Sequence, residues 1–411
     1  MKFGIFYEHQ LPRDWEESSE HTLIQNALDQ IELADGLGFD YAWEVEHHFL
    51  EEYSHSSAPE VFLAAASQRT KNIRLGHGII QLTTNHPARV AERVATLDLV
   101  SNGRVELGLG EGSSVTELHP FNLRFRDKRE IWEDAVKCTL PMFWNHGWEY
   151  HGEHFQFPKR AVLPKPLQKP HPPLWIACSQ LDTIKYAAHR GMGALCFKFV
   201  NLEAAEAWVH AYYNTFIHHQ EKLCDYQANP NIAVVGGFMC AETDEEAWQK
   251  ADGWTFFQFA LMLYNREGPF EPGELHLWDR YQEWKQNDAG QRRTGSELIG
   301  SPDTIRARLK ELEDANVDQV ILLNQAGKNT HEDICSSLEL FAKEVMPEFH
   351  ARHGEQEAWK AAVLNGEIEL TEIDTEPFNI TARQAPTKKS TKEARDMVAG
   401  TAGRPESKAI G

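Results

Sequence analysis

The sequence has no apolar run approaching the ~20 residues that a membrane-crossing helix needs, so nothing in it reads as a span. Cysteine is sparse and unpaired. Cys138, Cys178, Cys196, Cys224, Cys240 and Cys335 are scattered without a Cys-x-x-Cys, a spacing that suits neither a disulfide framework nor a zinc ribbon. Positive charge is also short. The net charge is -21, and Lys388, Lys389 and Lys392 are too few to form a stripe that would hold a nucleic-acid backbone. The first residues, Met1 to Tyr7, read directly as a strand with no small-residue cleavage site, so no secretory leader is expected. These absences exclude a membrane protein, a disulfide-stapled secreted domain and a polyanion binder. They leave the expectation of a soluble, reduced, cytoplasmic protein with no nucleic-acid or membrane partner.

What is present is a rhythm. The 411 residues include 41% hydrophobic and 25% charged residues, enough for roughly two or three average domains or for one barrel with insertions. A strand over Phe3–Tyr7 is followed by Ile24, Ala27, Leu28, Ile31 and Ala34, the stripe of a helix lying on a sheet, which stops at Gly36-Leu37-Gly38. Strands at 39–45, 73–81, 104–109, 174–178, 194–197, 232–240 and 318–324 alternate with helices, among them 59–69, 87–100 and 128–143. Eight strands, each followed by a helix, predict an α/β fold: a (β/α)8 TIM barrel over residues 1–353. Insertions are expected near 145–172, with a hairpin over 148–157, and near 265–300 as an irregular segment. Residues 354–411 read as a C-terminal extension. A doubly wound open sheet is the structural alternative.

In such barrels the reactive groups sit where the strands end. The second strand ends in Glu46-His47-His48, which has three readings: metal ligands, a general base with its orienting partner, or a hydrogen-bonded structural corner. Glu8-His9-Gln10 does not supply the His-x-His pair that a metal-dependent barrel hydrolase would want after the first strand. The stretch from Gly108 to Ser114 is neither a dinucleotide fingerprint, because Leu118 to Asn122 separate it from the next helix, nor a P-loop, because it lacks the Lys-Ser/Thr pair. Its glycines allow a flat group to approach the backbone, or merely a tight turn. Ser179 and Thr183 flank the start of the helix after the fifth strand, where hydroxyls either help hold a phosphate or cap the helix. The apolar helix around Trp254 to Leu263 would roof a substrate pocket, fill the core or form an interface, and residues 265–300 would serve as a lid.

Four stretches carry a resemblance: Gly38-Phe39-Asp40-Tyr41-Ala42-Trp43 running into Glu46-His47-His48-Phe49; Ile73-Arg74-Leu75-Gly76 through His86-Pro87; Ala91-Glu92 through Thr96-Leu97-Asp98 to Arg104; and Gly300-Ser301-Pro302-Asp303-Thr304. Together they resemble the luciferase-like flavin-dependent monooxygenases over residues 1 to about 350. The resemblance implies reduced FMN across the barrel mouth and O2 as co-substrate. It places the ring against a non-proline cis bond between Gly78 and Ile79, with Gly110 close to the ring and Glu111 beside it. Cys178, Ser179 and Thr183 would lie at the phosphate, and His47 would be the active-site histidine, oriented by Glu46 or His48. Relatives often carry an arginine after the position of Gly110, and this chain has Glu111 there. The phosphate cation must then come from elsewhere, or the flavin binds weakly as a diffusing substrate.

Because the chain shows no nicotinamide fingerprint of its own, reduced FMN is expected from a separate NAD(P)H:flavin reductase. The substrate is expected to be a small organic molecule, apolar or aromatic, and the assembly a homodimer. The rivals are a deazaflavin (F420)-dependent hydride-transferring dehydrogenase of the same barrel, a non-catalytic flavin-binding barrel and a metal hydrolase.

Overall fold

The computed structural model describes residues 1–197, 202–286 and 297–374. Its strands are β1 (Lys2–Tyr7), β2 (Tyr41–Glu44), β3 (Arg74–Gln81), β4 (Val105–Gly110), β5 (Trp148–His151), β6 (Gln156–Arg160), β7 (Leu174–Cys178), β8 (Gly193–Cys196), β9 (Ile232–Cys240), β10 (Glu297–Gly300) and β11 (Gln319–Leu323). Eight of them pair in parallel in the order β1-β2-β3-β4-β7-β8-β9-β11, and β11 returns to β1, closing a (β/α)8 barrel. β5 and β6 form an antiparallel hairpin, the element expected near residue 150.

The helices between the strands begin and end where local chemistry dictates. Pro59–Arg69 and Pro87–Val100 each start with proline in the first turn, where the missing N–H costs no hydrogen bond. Pro302–Asp314 starts under Ser301, whose hydroxyl accepts the Thr304 N–H.

Strand alternation sends one set of side chains inward. Two indoles dominate that set: Trp43 and Trp175 meet edge to face at 5.4 Å, and Tyr41 stacks on Trp43 at 5.8 Å. They fit because glycine stands opposite. A Cβ at Gly76 would overlap the Trp43 ring, and one at Gly193 would overlap Trp175. The Trp175 N–H donates to buried Glu106 (2.6 Å), which also pairs with Arg74. The N-terminal part of the interior is therefore plugged, and among the described residues the interior opens at the C-terminal ends of the strands.

Three expectations are corrected. The Gly78–Ile79 peptide is trans, not cis. At that point β3 shifts register against β4 between His77 and Ile80. The bulge brings the Gly78 carbonyl so close to β4 that a Cβ at Gly108 would stand 2.6 Å from its oxygen, and it supplies the local bend. The segment 265–300 is not wholly irregular. It holds a helix, Leu277–Lys285, and β10, which pairs in parallel with β9 outside the barrel; residues 287–296 lie outside the described set. Buried Glu52 fixes that helix by accepting the Leu277 and Trp278 N–H groups at 2.8 and 3.0 Å.

Residue 354, where the C-terminal extension was expected to begin, lies inside a helix, Met346–Leu364. The polar residues that hide it in the sequence are satisfied by the barrel: Gln356 donates to the Val317 carbonyl (2.6 Å) and Lys360 to Asp318 (3.2 Å). The rest of the expected extension, from residue 375 on, lies outside the described residues.

Gly76→Ala should cost about 1–3 kcal/mol, the usual range for overpacking a filled core. Urea unfolding monitored by tryptophan fluorescence checks this, and an unchanged midpoint would remove the indole plug from the account.

Candidate functional site

A cavity of about 330 Å³ opens at the C-terminal ends of the strands, within the size range of small-molecule sites. Its walls are mostly apolar. Phe6, Val45, Ile79, Leu109, Ile176 and Phe197 come from the strand ends, and Phe257 and Leu261 from the helix Phe256–Glu267. That helix serves two of its three expected uses, since Phe256, Phe259, Ala260 and Leu263 pack into the core.

His47 lines this cavity, and its Nδ1 lies 2.7 Å from Glu117 Oε1. Burial alone would lower the imidazole's pKa. The Glu117 charge and hydrogen bond, helped by Glu8 and Glu46, outweigh that and raise it. Glu117 is itself buried yet held below the ordinary carboxylate range, because His47, the Ser113 hydroxyl (2.5 Å) and the Gln81 amide (2.8 Å) all stabilise its charge. Both shifts favour the charged forms, an imidazolium paired with a carboxylate, and Nδ1 is the ring nitrogen that Glu117 engages.

Glu46 and His48 do not line the cavity; they bond to each other at 3.0 Å. Glu46 also accepts the Gln81 N–H (2.9 Å) and the Asn85 amide (2.9 Å), so it ties β2 to the end of β3. His48 packs against the Phe121 ring. The expectation that Glu46 or His48 orients His47 is corrected: Glu117 holds the ring. The His47 ring and the Glu46–His48 pair thus turn to separate side-chain partners, and among the described residues no group of three or more His, Cys, Asp or Glu has metal-binding geometry.

A second part of the wall is cationic. Glu111 pairs with Arg129 and lies 3.8 Å from Lys128. Arg129 rests over the Tyr186 ring at 4.0 Å, and Lys128 donates to the Gly112 carbonyl at 2.9 Å. Ser179, Thr183 and the N-terminus of the helix Leu181–His189 stand beside them. The Thr183 hydroxyl accepts the N–H groups of Ser179 (3.2 Å) and Gln180 (3.1 Å), so it caps the helix while facing the cavity. Ile79, Gly110 and Cys178 line the cavity as well, whereas Gly78 does not; its Cβ position faces the Glu44 carbonyl and Val45. Burial pushes the Cys178 thiol up to about 12, so it stays protonated and serves as wall.

The cavity thus combines an apolar body, two cations beside a helix N-terminus and an imidazole paired with a buried carboxylate. Residues 1–319 match the family described as luciferase-like monooxygenase. The chain belongs to that family. Among luciferase-like relatives, the oxygenase component of flavin-dependent trigonelline monooxygenase of Acinetobacter baylyi is 25% identical over 367 residues, 85% of this chain and 96% of that one. An uncharacterised protein of Sinorhizobium fredii is 32% identical over 206 residues, and the alignment covers 48% of this chain but only 56% of that one. The oxygenating constituent of 3,6-diketocamphane monooxygenase of Pseudomonas putida, solved with FMN, superimposes with a TM-score of 0.66 at 20% identity, over 85% of this chain and 98% of that one.

Sequence reasoning missed Glu117, Arg129 and Lys128. Lys128 and Arg129 did leave a signal: they occupy the first two positions of the helix Lys128–Thr139, where the helix dipole disfavours cations. Glu117 was disguised by Ser114, whose hydroxyl accepts its N–H, so that Ser-x-x-Glu reads as ordinary capping.

Glu117→Gln removes the charge that opposes burial, so the His47 pKa should fall below its value in the parent protein. NMR titration of the imidazole reads this directly, and an unchanged midpoint would show that Glu117 does not set the charge of His47.

Proposed function

We propose that this protein is a two-component flavin-dependent monooxygenase. It takes reduced FMN from a separate flavin reductase and, with O2, oxygenates a small organic substrate. The observation that carries the reading is the join, in one cavity, of a charge-paired His47 with the Arg129–Lys128 cluster. The donor set suits FMN. Arg129, Lys128, Ser179 and Thr183 would hold the phosphate, with the N-terminus of the helix Leu181–His189 adding favourable partial charge. Gly110, Ile79, Val45 and Leu109 would face the ring. Glu111, standing where relatives often carry an arginine, positions Arg129 instead of supplying a cation itself.

Reduced flavin, when bound, supplies the electrons that activate O2 for transfer of one oxygen atom. The chain's own residues do the rest. The apolar wall excludes water from the reacting centre. His47 holds a proton at Nε2, because the paired Glu117 carboxylate favours the charged ring, and can deliver it to a developing anion on the substrate or on oxygen. Gln81, which donates to both Glu117 (2.8 Å) and the Glu46 carbonyl (3.0 Å), locks that pair in place. A homodimer in the cytoplasm completes the proposal.

His47→Ala should lower oxygenation by ~100-fold or more while FMN still binds. Stopped-flow mixing with O2 and product assay test this, and unchanged turnover would remove His47 from the chemistry. Arg129→Ala should weaken FMN binding by ~10-fold or more, the worth of one charge-assisted contact to phosphate. Fluorescence titration measures it, and an unchanged affinity would mean that the phosphate lies elsewhere. Substrate-dependent oxygen consumption separates the monooxygenase from a deazaflavin-dependent dehydrogenase, which would transfer hydride without consuming oxygen.

A further inference from the structure

Glu8 lines the same cavity and has no part in the proposed proton delivery. It lies one residue past the end of β1 and two after Phe6, and both residues line the cavity. Oε1 accepts the Tyr53 hydroxyl and Oε2 the Gln10 amide, both at 2.6 Å. Among the described residues no Lys, Arg or His nitrogen comes within 4.0 Å of it. The two lining cations, Lys128 and Arg129, pair with Glu111. The cavity that Glu8 lines also carries aromatic rings: Phe6 and Phe197, with centroids 4.9 Å apart, Phe257, and Tyr53, which bonds to Glu8. A carboxylate in a cavity lined by aromatic rings, with no ion pair of its own, is an arrangement that recognises a positively charged nitrogen.

We infer that this part of the cavity is a subsite for a cationic nitrogen, a quaternary ammonium or N-alkylpyridinium group carried by the substrate. The inference rests on the reading above and narrows its substrate class from apolar or aromatic to aromatic-compatible and cationic. Tyr53 and Gln10 fix the carboxylate and use two of the about four acceptor sites that an ionised carboxylate offers. The charged and titratable groups around Glu8 are Tyr53 from the turn after β2, and Glu44 and His47 from β2 and its end. Glu44 is itself faced by His9 at 2.9 Å. His47 is hydrogen-bonded to Glu117 and also favours the Glu8 charge from a distance, but it forms no ion pair with Glu8. Burial pushes Glu8 up to about 7, with Tyr53, His47 and Gln10 opposing. A bound cation favours the ionised form, so cation affinity should rise as pH climbs through 7, and binding should release a proton.

The test uses benzyltrimethylammonium and its neutral isostere neopentylbenzene as probes. Isothermal titration of the full chain, saturated with FMN, is run at pH 6, 7 and 8. The cation should bind at least ~10-fold tighter than the isostere at pH 8, and its affinity should fall by up to ~10-fold at pH 6. Repeating the pH 7 titration in buffers of different ionisation enthalpy should show about half a proton released per cation bound. Glu8→Gln keeps an acceptor for Tyr53 but loses the charge, so both the preference and the pH dependence should vanish while FMN affinity holds. Equal affinity for the two probes, or a pH dependence that survives Glu8→Gln, would overturn the subsite. Should that variant fail to fold, proton release by the parent protein still decides the matter: none would overturn it. Failure of FMN to bind or to react with O2 would sink the monooxygenase reading instead, and is measured separately.

Discussion

Two indoles packed against glycine decide where this barrel has room. Trp43 and Trp175 fill the interior between β2 and β7, and they do so only because Gly76 and Gly193 leave the facing positions bare. A barrel of eight parallel strands is normally a solid core. Here two large flat rings plug it low, and the layer above, with Phe6, Val45, Ile79, Leu109, Ile176 and Phe197, lines a cavity. The cavity, the imidazole and the cation cluster all lie above that plug. Glu106, buried and tied to both Trp175 and Arg74, shows how far the fold goes to hold an indole in place.

Above the plug, every charge on the cavity wall has to be accounted for, because apolar surroundings strengthen each electrostatic interaction and penalise any charge left alone. His47 is matched by Glu117, and Arg129 and Lys128 by Glu111. Glu111, next to Gly110, thus holds two cations from the start of the helix Lys128–Thr139 at the cavity wall. Glu8 alone is answered by neutral donors, and this sets it apart from the rest of the wall.

The loops that shape the mouth are tied together by carboxylates rather than by apolar packing alone. Glu46 joins the end of β2 to the end of β3. Glu52 joins the turn after β2 to the helix Leu277–Lys285, and it also accepts the Arg13 N–H at 3.1 Å. Each is a buried carboxylate that accepts backbone N–H groups, Glu46 with two side-chain donors besides, an arrangement that fixes loop geometry because moving either partner would leave buried polar groups unpaired.

The order of eight strands and their helices was legible in the sequence, because apolar period and the proline, serine and glycine signals are local properties. Pro59–Arg69 and Pro87–Val100 end where those signals put them. The placement of His47 at a strand end, and of Ile79, Gly110, Cys178, Ser179 and Thr183 around a common space, followed from the same rhythm together with the family likeness. What the sequence hid was every partnership across the barrel. Glu117 stands 70 residues from His47, and Arg129 reaches Glu111 from the next helix. The trans bond at Gly78–Ile79 and the helical course past residue 354 likewise depend on contacts with other strands. A chain writes its periodicity into neighbouring residues, so elements can be read one at a time; a charge chooses its partner by distance in space, and closure of the barrel alone sets those distances.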